Sequence, residues 1–315
     1  MPWSTSEIPS LEGRRAVVTG ANGGLGLQTA LELARRGAQV TLAVRDVQKG
    51  ATAVDRITAK VPGASLAVET LDLADLASVR AFATREDAGG LPLDLLVNNA
   101  GIMATPPRLT ADQFELQFGT NHLGHFALTG LLLGRLKAAD APRVVTVSSI
   151  VHRLGTIDFD DLNWHASYGP WRAYGRSKLS NLLFARELQA RVDAAGIPLR
   201  SLAAHPGYSS THLQTTGPAM SGGVLGRLNA WGGKVGNVLV ATKDSYGAQP
   251  SLYAATHPEV PGGSFVGPTR LGQTRGPIGP VTSTAAGRDM AVASRLFDVS
   301  EELTGVSFGL APAAA

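Results

Sequence analysis

The chain has 315 residues, 44% of them hydrophobic and 17% charged, which supplies one large core and argues against disorder. Its 28 basic residues outnumber 25 acidic ones only slightly, and no Lys/Arg cluster of the nucleic-acid-binding kind occurs, so nucleic acid is not an expected partner. There are no cysteines, which excludes disulfides and thiolate metal sites. The first residues, MPWSTSEIPSLEGRRAVVTGA, carry no charged start followed by an apolar stretch, so no signal peptide is expected. The first element is a β-branched run, RAVVT (15–19), ending in a glycine-rich turn. QTALELARRG then reads as a helix that stops at Gly37, and QVTLAV (39–44) as a second strand. A polar helical stretch runs to about Lys60, followed by SLAVETL (65–71) as a strand and LASVRAFATRED as a helix. LDLLVNN (93–99) is a fourth strand, 110–138 a long apolar helical region, and RVVTVSS (143–149) a fifth strand. Residues 171–196 form a long helix and LRSLAAH (199–205) a sixth strand. Beyond them, 244–256 reads as a helix, GGSFVG (262–267) as a last short strand, and 285–304 as a helical tail.

Strands alternating with helices predict α/β architecture, a doubly wound parallel sheet of the Rossmann type covered on both faces. The pattern crosses residue 150 without a linker, so residues 1–315 are taken as one domain. Two segments depart from it: a substrate-side insertion at about 150–171 and a Gly/Ser/Thr-rich, lid-like segment at about 206–243 that contains Trp231. The longest apolar stretch, Leu123 to Leu133, is far short of the ~18 residues that span a bilayer, so no transmembrane segment is predicted and a cytoplasmic protein is expected.

Ligands of open parallel sheets bind beyond the carboxyl ends of the strands. There the chain reads Thr19-Gly20-Ala21-Asn22-Gly23-Gly24-Leu25-Gly26. Glycines admit backbone N–H groups to a pyrophosphate, and the next helix offers its positive end, so Gly20, Asn22, Gly24, Leu25 and Gly26 are candidate nucleotide contacts. The second strand ends without a carboxylate for a ribose 2′-OH. Arg45 stands there instead, suited to a 2′-phosphate, which favours NADP over NAD. Asp46 opposes that preference if it reaches the ribose. Asp72, with Leu73 beside it, either receives the adenine amino group or caps the following helix.

Tyr174 and Lys178 lie four apart on the long helix and share a face. An ammonium close to a phenol lowers its pKa and makes it a usable acid/base. Ser148 and Ser149 end the fifth strand, where a hydroxyl can polarise a carbonyl. Asn98-Asn99-Ala100-Gly101 ends the fourth, and Asn121 is an amide within an apolar helix. The histidines lack metal-site spacing, so no metal is expected.

In their order, the glycine turn, NNAG, Asn121, Ser149, Tyr-x-x-x-Lys and Pro206-Gly207 resemble the short-chain dehydrogenases/reductases, over about Arg15 to Thr211. The resemblance implies Tyr174 as general acid/base and Lys178 as its tuner and a ribose anchor. It implies Ser149 as carbonyl polariser and Asn121 as the holder of a relay water. Asn98, Ala100 and Gly101 would then wall the adenosine side, with Pro206, Gly207 and Thr211 on the nicotinamide side. Ser149 and Tyr174 are 25 residues apart, longer than the family's usual gap. With AVRD after the second strand, that gap resembles the retinol dehydrogenase and protochlorophyllide reductase branch. The expectation is an NADP-dependent oxidoreductase interconverting an apolar alcohol and carbonyl, since the resembled branch is NADP-dependent and acts on bulky apolar substrates. The alternatives are a catalytically inactive sensor or scaffold of the same fold and an NADPH-dependent C=C reductase. A homo-oligomer pairing through the helices of Asn121 and Tyr174 is a further expectation, against which the extra segments stand. Trp164, Tyr168 and Trp171 of the insertion either line the pocket or pack the insertion down.

Overall fold

The computed structural model describes residues 3–207 and 244–312. The strands are β1 (Arg15–Thr19), β2 (Gln39–Val44), β3 (Leu66–Thr70), β4 (Leu95–Asn98), β5 (Arg143–Val147), β6 (Arg200–Ala204), β7 (Phe265–Arg270) and β8 (Arg275–Pro280). They form one eight-stranded sheet in the order β3-β2-β1-β4-β5-β6-β7-β8. β1 to β7 are parallel, and β8 returns antiparallel along β7. The helices are α1 (Gly24–Arg35), α2 (Val47–Thr58), α3 (Leu76–Ala88), α4 (Leu116–Phe118), α5 (Gly124–Leu131), α6 (Leu133–Lys137), α7 (Pro170–Ala194), α8 (Asp244–Gly247), α9 (Gln249–Thr256) and α10 (Met290–Thr304). Among the described residues no helix is long and apolar enough to cross a membrane.

The doubly wound parallel sheet anticipated from the alternation is the fold observed. Its central strands are apolar throughout because both of their faces are covered. In β1, Ala16 and Val18 pack with Leu27, Leu31 and Leu252 on one face, while Val17 packs with Val79, Phe82 and Phe126 on the other. Strand order reverses between β1 and β4, and that reversal opens a crevice at their carboxyl ends.

Three elements differ from expectation. Phe265–Arg270 is not the last strand; β8 follows, and its Gly276, Pro277, Gly279 and Pro280 disguised it as a loop, a composition that an edge strand tolerates. The segment 244–256 is two helices, α8 and α9, rather than one. The apolar region 110–138 starts its helix only at Leu116, and Gly119–Leu123 is a π-helical turn between α4 and α5. Gly119 packs on Thr110 and Gly124 on the Leu73 carbonyl, contacts that leave no room for a Cβ. Such π turns are rare and often mark functional positions, and this one contains Asn121. Most of the proposed lid, with Thr211 and Trp231, lies outside the described residues.

Candidate active site

The carboxyl ends of β1, β4 and β5 gather the predicted residues. After β1, α1 starts at Gly24 with no side chain capping its first turn. Its leading N–H groups are therefore available to an anion. Gly24 has φ +52° and open space where a Cβ would stand, and Asn22 and Gly20 are half-buried beside it. Leu25 and Gly26 are buried; Gly26 lies so close to the Asn99 amide and the Gly20 carbonyl that a Cβ would come within 2.5 Å of both. Arg45 is exposed and has no ion pair among the described residues. Asp46 is committed elsewhere: its carboxylate caps α2 by accepting from Gln48 N and Lys49 N, which holds its pKa below the usual carboxylate range. Asp72 accepts from Ala74 N and is not the cap of α3; Asp75 is, accepting from Ala77 N and Ser78 N. Leu73 is buried beside Asp72. An uncapped helix start and an open glycine are a donor set that fits the pyrophosphate of a dinucleotide.

Asn98 is fully buried and turned into the sheet, where its Nδ2 donates to Thr129 and Thr146. Ala100 and Gly101 are half-buried at the crevice. A Cβ on Gly101 would sit 3.1 Å from Asn121 Oδ1 and 3.4 Å from Lys178 Nζ, so glycine here lets the loop lie against both. Pro206 and Gly207 are half-buried beyond β6, and Gly207 has φ +69°.

Tyr174 stands on α7 at 5% exposure, with Lys178 Nζ 5.7 Å from its ring centroid. Burial pushes the Tyr174 phenol up to about 12, while its hydrogen bond with the Ser149 side chain acts in the opposite direction. Burial alone pushes Lys178 down to about 8. The lysine also donates to the Val147 carbonyl at 3.0 Å, which ties its ammonium to the end of β5. Ser149 is half-buried and accepts from Val151 N, whereas Ser148 is buried and spends its hydroxyl on the Lys178 carbonyl. Ser149 is therefore the serine left facing Tyr174. Asn121 is fully buried. Its Oδ1 accepts from Ile102 N, and its Nδ2 donates to Ile102 O and Ser177 Oγ.

Sequence reasoning missed part of this arrangement. Gln117, Asn121, His125 and Thr129 are all buried and recur every fourth residue along one apolar helical run. Asn121 O only accepts, so His125 Nδ1 carries the hydrogen in that 3.0 Å bond and Nε2 accepts from the Thr19 hydroxyl at 2.9 Å. Thr19 in turn accepts from Asn99 N and Ala100 N. Burial holds His125 down at about 4, so it is neutral. A polar stripe at four-residue spacing within an apolar run is the signal that would have exposed this network. His122 is a core residue, bonded to Ser300 and packed at tilted and edge-on angles among Phe118, Phe126 and Phe184. Among the described residues no three His, Cys, Asp or Glu side chains are grouped as metal ligands.

In the insertion, Trp164 lies beneath the Arg176 guanidinium at 4.1 Å, and Tyr168 bonds Gln117 and Thr105. Both pack the insertion onto the fold. Trp171 is 52% exposed, and its ring meets that of Tyr174 edge-on at 6.3 Å.

A doubly wound sheet with this crevice, and with serine, tyrosine, lysine and asparagine brought to it, defines the nicotinamide-dependent dehydrogenase/reductase class. The short chain dehydrogenase pattern matches residues 14–221. Human retinol dehydrogenase 13 is 42% identical over 256 residues, covering 80% of this chain and 74% of that protein. Mouse retinol dehydrogenase 11 is 41% identical over 304 residues, covering 96% and 89%. A crystal structure of a Mycobacterium paratuberculosis protein superposes with a TM-score of 0.80 at 47% identity, covering 98% of this chain and all of that one. The chain belongs to the short-chain dehydrogenase/reductase family, in its retinol dehydrogenase-like branch. It is an NAD(P)-dependent oxidoreductase with a small-molecule substrate.

Proposed function

We propose that the protein is an NADP-dependent oxidoreductase interconverting an alcohol and a carbonyl on an apolar substrate, with Tyr174 as general acid/base. The observation that carries this reading is the buried Tyr174 on α7, with the buried Lys178 Nζ 5.7 Å from its ring and Ser149 at the end of β5 left without another use for its hydroxyl hydrogen. When bound, NADP(H) supplies or accepts the hydride at the substrate carbon. In reduction, Ser149 donates to the carbonyl oxygen, Tyr174 passes its phenolic proton to that oxygen, and the Lys178 ammonium stabilises the phenolate left behind. The Tyr174 phenol, pushed by burial up to about 12, is protonated at neutral pH as any phenol is, and so starts reduction as the proton donor. Gly20, Asn22, Gly24, Leu25 and Gly26 are assigned to the pyrophosphate and Arg45 to the 2′-phosphate. Asp72, Leu73, Ala100 and Gly101 are assigned to the adenosine side and Pro206 and Gly207 to the nicotinamide side, while Asn98, its amide committed to Thr129 and Thr146, supports that wall from inside the sheet. The test is turnover of a panel of small and bulky apolar ketones, aldehydes and enones with NADPH and NADH. Ketone or aldehyde reduction with NADPH supports the reading; reduction of enones alone overturns it.

The cofactor preference rests on Arg45, with Asp46 withdrawn to cap α2. A Beutenbergia cavernae structure, described as an NAD(P)-dependent gluconate 5-dehydrogenase with NADP bound at low occupancy, is a supporting neighbour at 26% identity and a TM-score of 0.59. Charge-assisted hydrogen bonds contribute ~1.5–3 kcal/mol, so Arg45→Ala is expected to raise the NADPH Kd by about ten- to a hundredfold and leave the NADH Kd unchanged. Fluorescence titration of both nucleotides decides this, and an unchanged NADPH Kd removes Arg45 from the site.

The apolar substrate rests on Trp171. Losing its contact with a bulky substrate costs ~1.5–3 kcal/mol, so Trp171→Ala is expected to raise KM for bulky carbonyls about tenfold or more and for small ones little. Steady-state kinetics with a size series reads this directly. Equal effects on all sizes, with a lowered melting temperature, would make Trp171 a packing residue.

A further inference from the structure

We propose that Gln117 is a second positioning amide for this reaction, fixing the first turn of α7, and with it Tyr174, to the loop that follows β4. The inference rests on the reading of Tyr174 as proton donor. Gln117 is fully buried one helical turn before Asn121, and it repeats the bonding of Asn121 on the next rung. Asn121 takes Ile102 N with its oxygen and gives its amide hydrogens to Ile102 O and to Ser177 of α7. Gln117 takes Ala104 N with its oxygen at 2.8 Å and gives its amide hydrogens to Pro170 O of α7 at 3.0 Å and Tyr168 Oη at 2.9 Å. A backbone N–H can only donate and a carbonyl can only accept, so this network admits one orientation of the carboxamide and uses both of its hydrogens.

The two backbone partners give the side chain its leverage. Pro170 is the first residue of α7, and its carbonyl stands four residues before Tyr174, the α-helical partner position of the Tyr174 N–H. Holding that carbonyl sets the pitch of the turn from which Tyr174 and Trp171 project. At the other end, Ala104 has φ +49°, a left-handed conformation that is unfavourable for alanine, and the Gln117 oxygen accepts the hydrogen of its N–H. Two carboxamides one turn apart fix the position and also the tilt of α7 against the 102–104 loop; Asn121 alone fixes only a point.

Gln117→Met keeps the volume and removes every polar bond. Single-turnover NADPH oxidation at saturating carbonyl should slow by about tenfold or more, because a misplacement of about 1 Å costs up to ~10²-fold. The NADPH Kd and the pH midpoint of the rate should match wild type, since Gln117 is neutral and bonds neither the cofactor residues nor Tyr174. Tyr168→Phe leaves the bonds to Ala104 and Pro170 in place and should keep the wild-type rate. A glutamine that only stabilised the fold would lower the melting temperature and leave the rate constant of the folded enzyme unchanged; that result overturns the proposal, as does an equal loss in Tyr168→Phe. Gln117→Glu, which keeps the shape and the acceptor for Ala104, is judged by the same rate constant if methionine prevents folding. Tyr174→Phe is measured alongside. Retained activity there overturns the proton-donor reading, whereas an inactive Tyr174→Phe beside a fully active Gln117→Met overturns the positioning role alone.

Discussion

Tyr174→Phe is expected to lower the single-turnover rate of carbonyl reduction by about 10²–10⁴, the usual worth of a positioned proton donor. The substitution removes one hydroxyl from a side chain that is 5% exposed and leaves the ring in place against Trp171. Lys178 keeps its bond to Val147 and Asn121 its bonds to Ile102 and Ser177, so NADPH affinity should stay within about twofold of wild type, since no charge-assisted hydrogen bond is lost. The same residue has a signature in the free protein. With burial holding its phenol at about 12, the phenolate band of Tyr174 should be absent at pH 10 and develop only near pH 12. The difference in ultraviolet absorbance between wild type and Tyr174→Phe during alkaline titration measures it. A Phe variant that keeps most of the rate removes Tyr174 from the proton transfer. A Tyr174 phenolate already formed at pH 9 would mean that Lys178 outweighs burial before any ligand arrives.

The strands and the catalytic spacing were legible because both are local. RAVVT, QVTLAV and RVVTVSS are apolar on both faces, and only a buried strand needs that. The four-residue step from Tyr174 to Lys178 places both on one face of any helix. What was not legible depends on tertiary partners. Asp46, Asp72 and Asp75 are equivalent on paper as ribose contacts or caps; which carboxylate meets a helix start is decided by where α2 and α3 begin. β8 is built from Gly and Pro that punctuate most chains, and it forms because β7 offers it an edge. Gln117 and His125 look like stray polar residues in an apolar helix until Ala104, Pro170 and Thr19 arrive from elsewhere in the fold. The π turn around Asn121 is flanked by Gly119 and Gly124, which lie against Thr110 and Leu73 in contacts that no local pattern announces.

The largest expected loss of stability lies away from the site, where the far end of α7 meets α10. Arg191 has a side chain only 1% exposed, and its Nε donates at 2.8 Å to Glu187, which is 2% exposed. Its Nη2 reaches Asp298 of α10 at 2.7 Å, and the guanidinium lies 4.0 Å over the Phe297 ring. Phe297 belongs to an aromatic cluster with Phe126, Phe184 and Phe308, so the arginine joins a charge pair to the core. Arg191→Ala strands the Glu187 carboxylate in that core, and breaking a buried pair from one side costs about 3–5 kcal/mol. Urea unfolding monitored by circular dichroism measures the loss. Asp298 is 56% exposed, and solvent screens its share of the interaction, so Asp298→Ala should cost at most about 1 kcal/mol. The paired variant Arg191→Met with Glu187→Met removes both charges and fills the space with apolar atoms. It should recover most of the stability lost in the single variant, because desolvating the pair had offset most of its attraction. The rate constant of folded Arg191→Ala should remain that of wild type, because Tyr174 lies more than four helical turns away along α7. A double variant no more stable than the single one would locate the value of Arg191 in its contact with Phe297 and not in its charge.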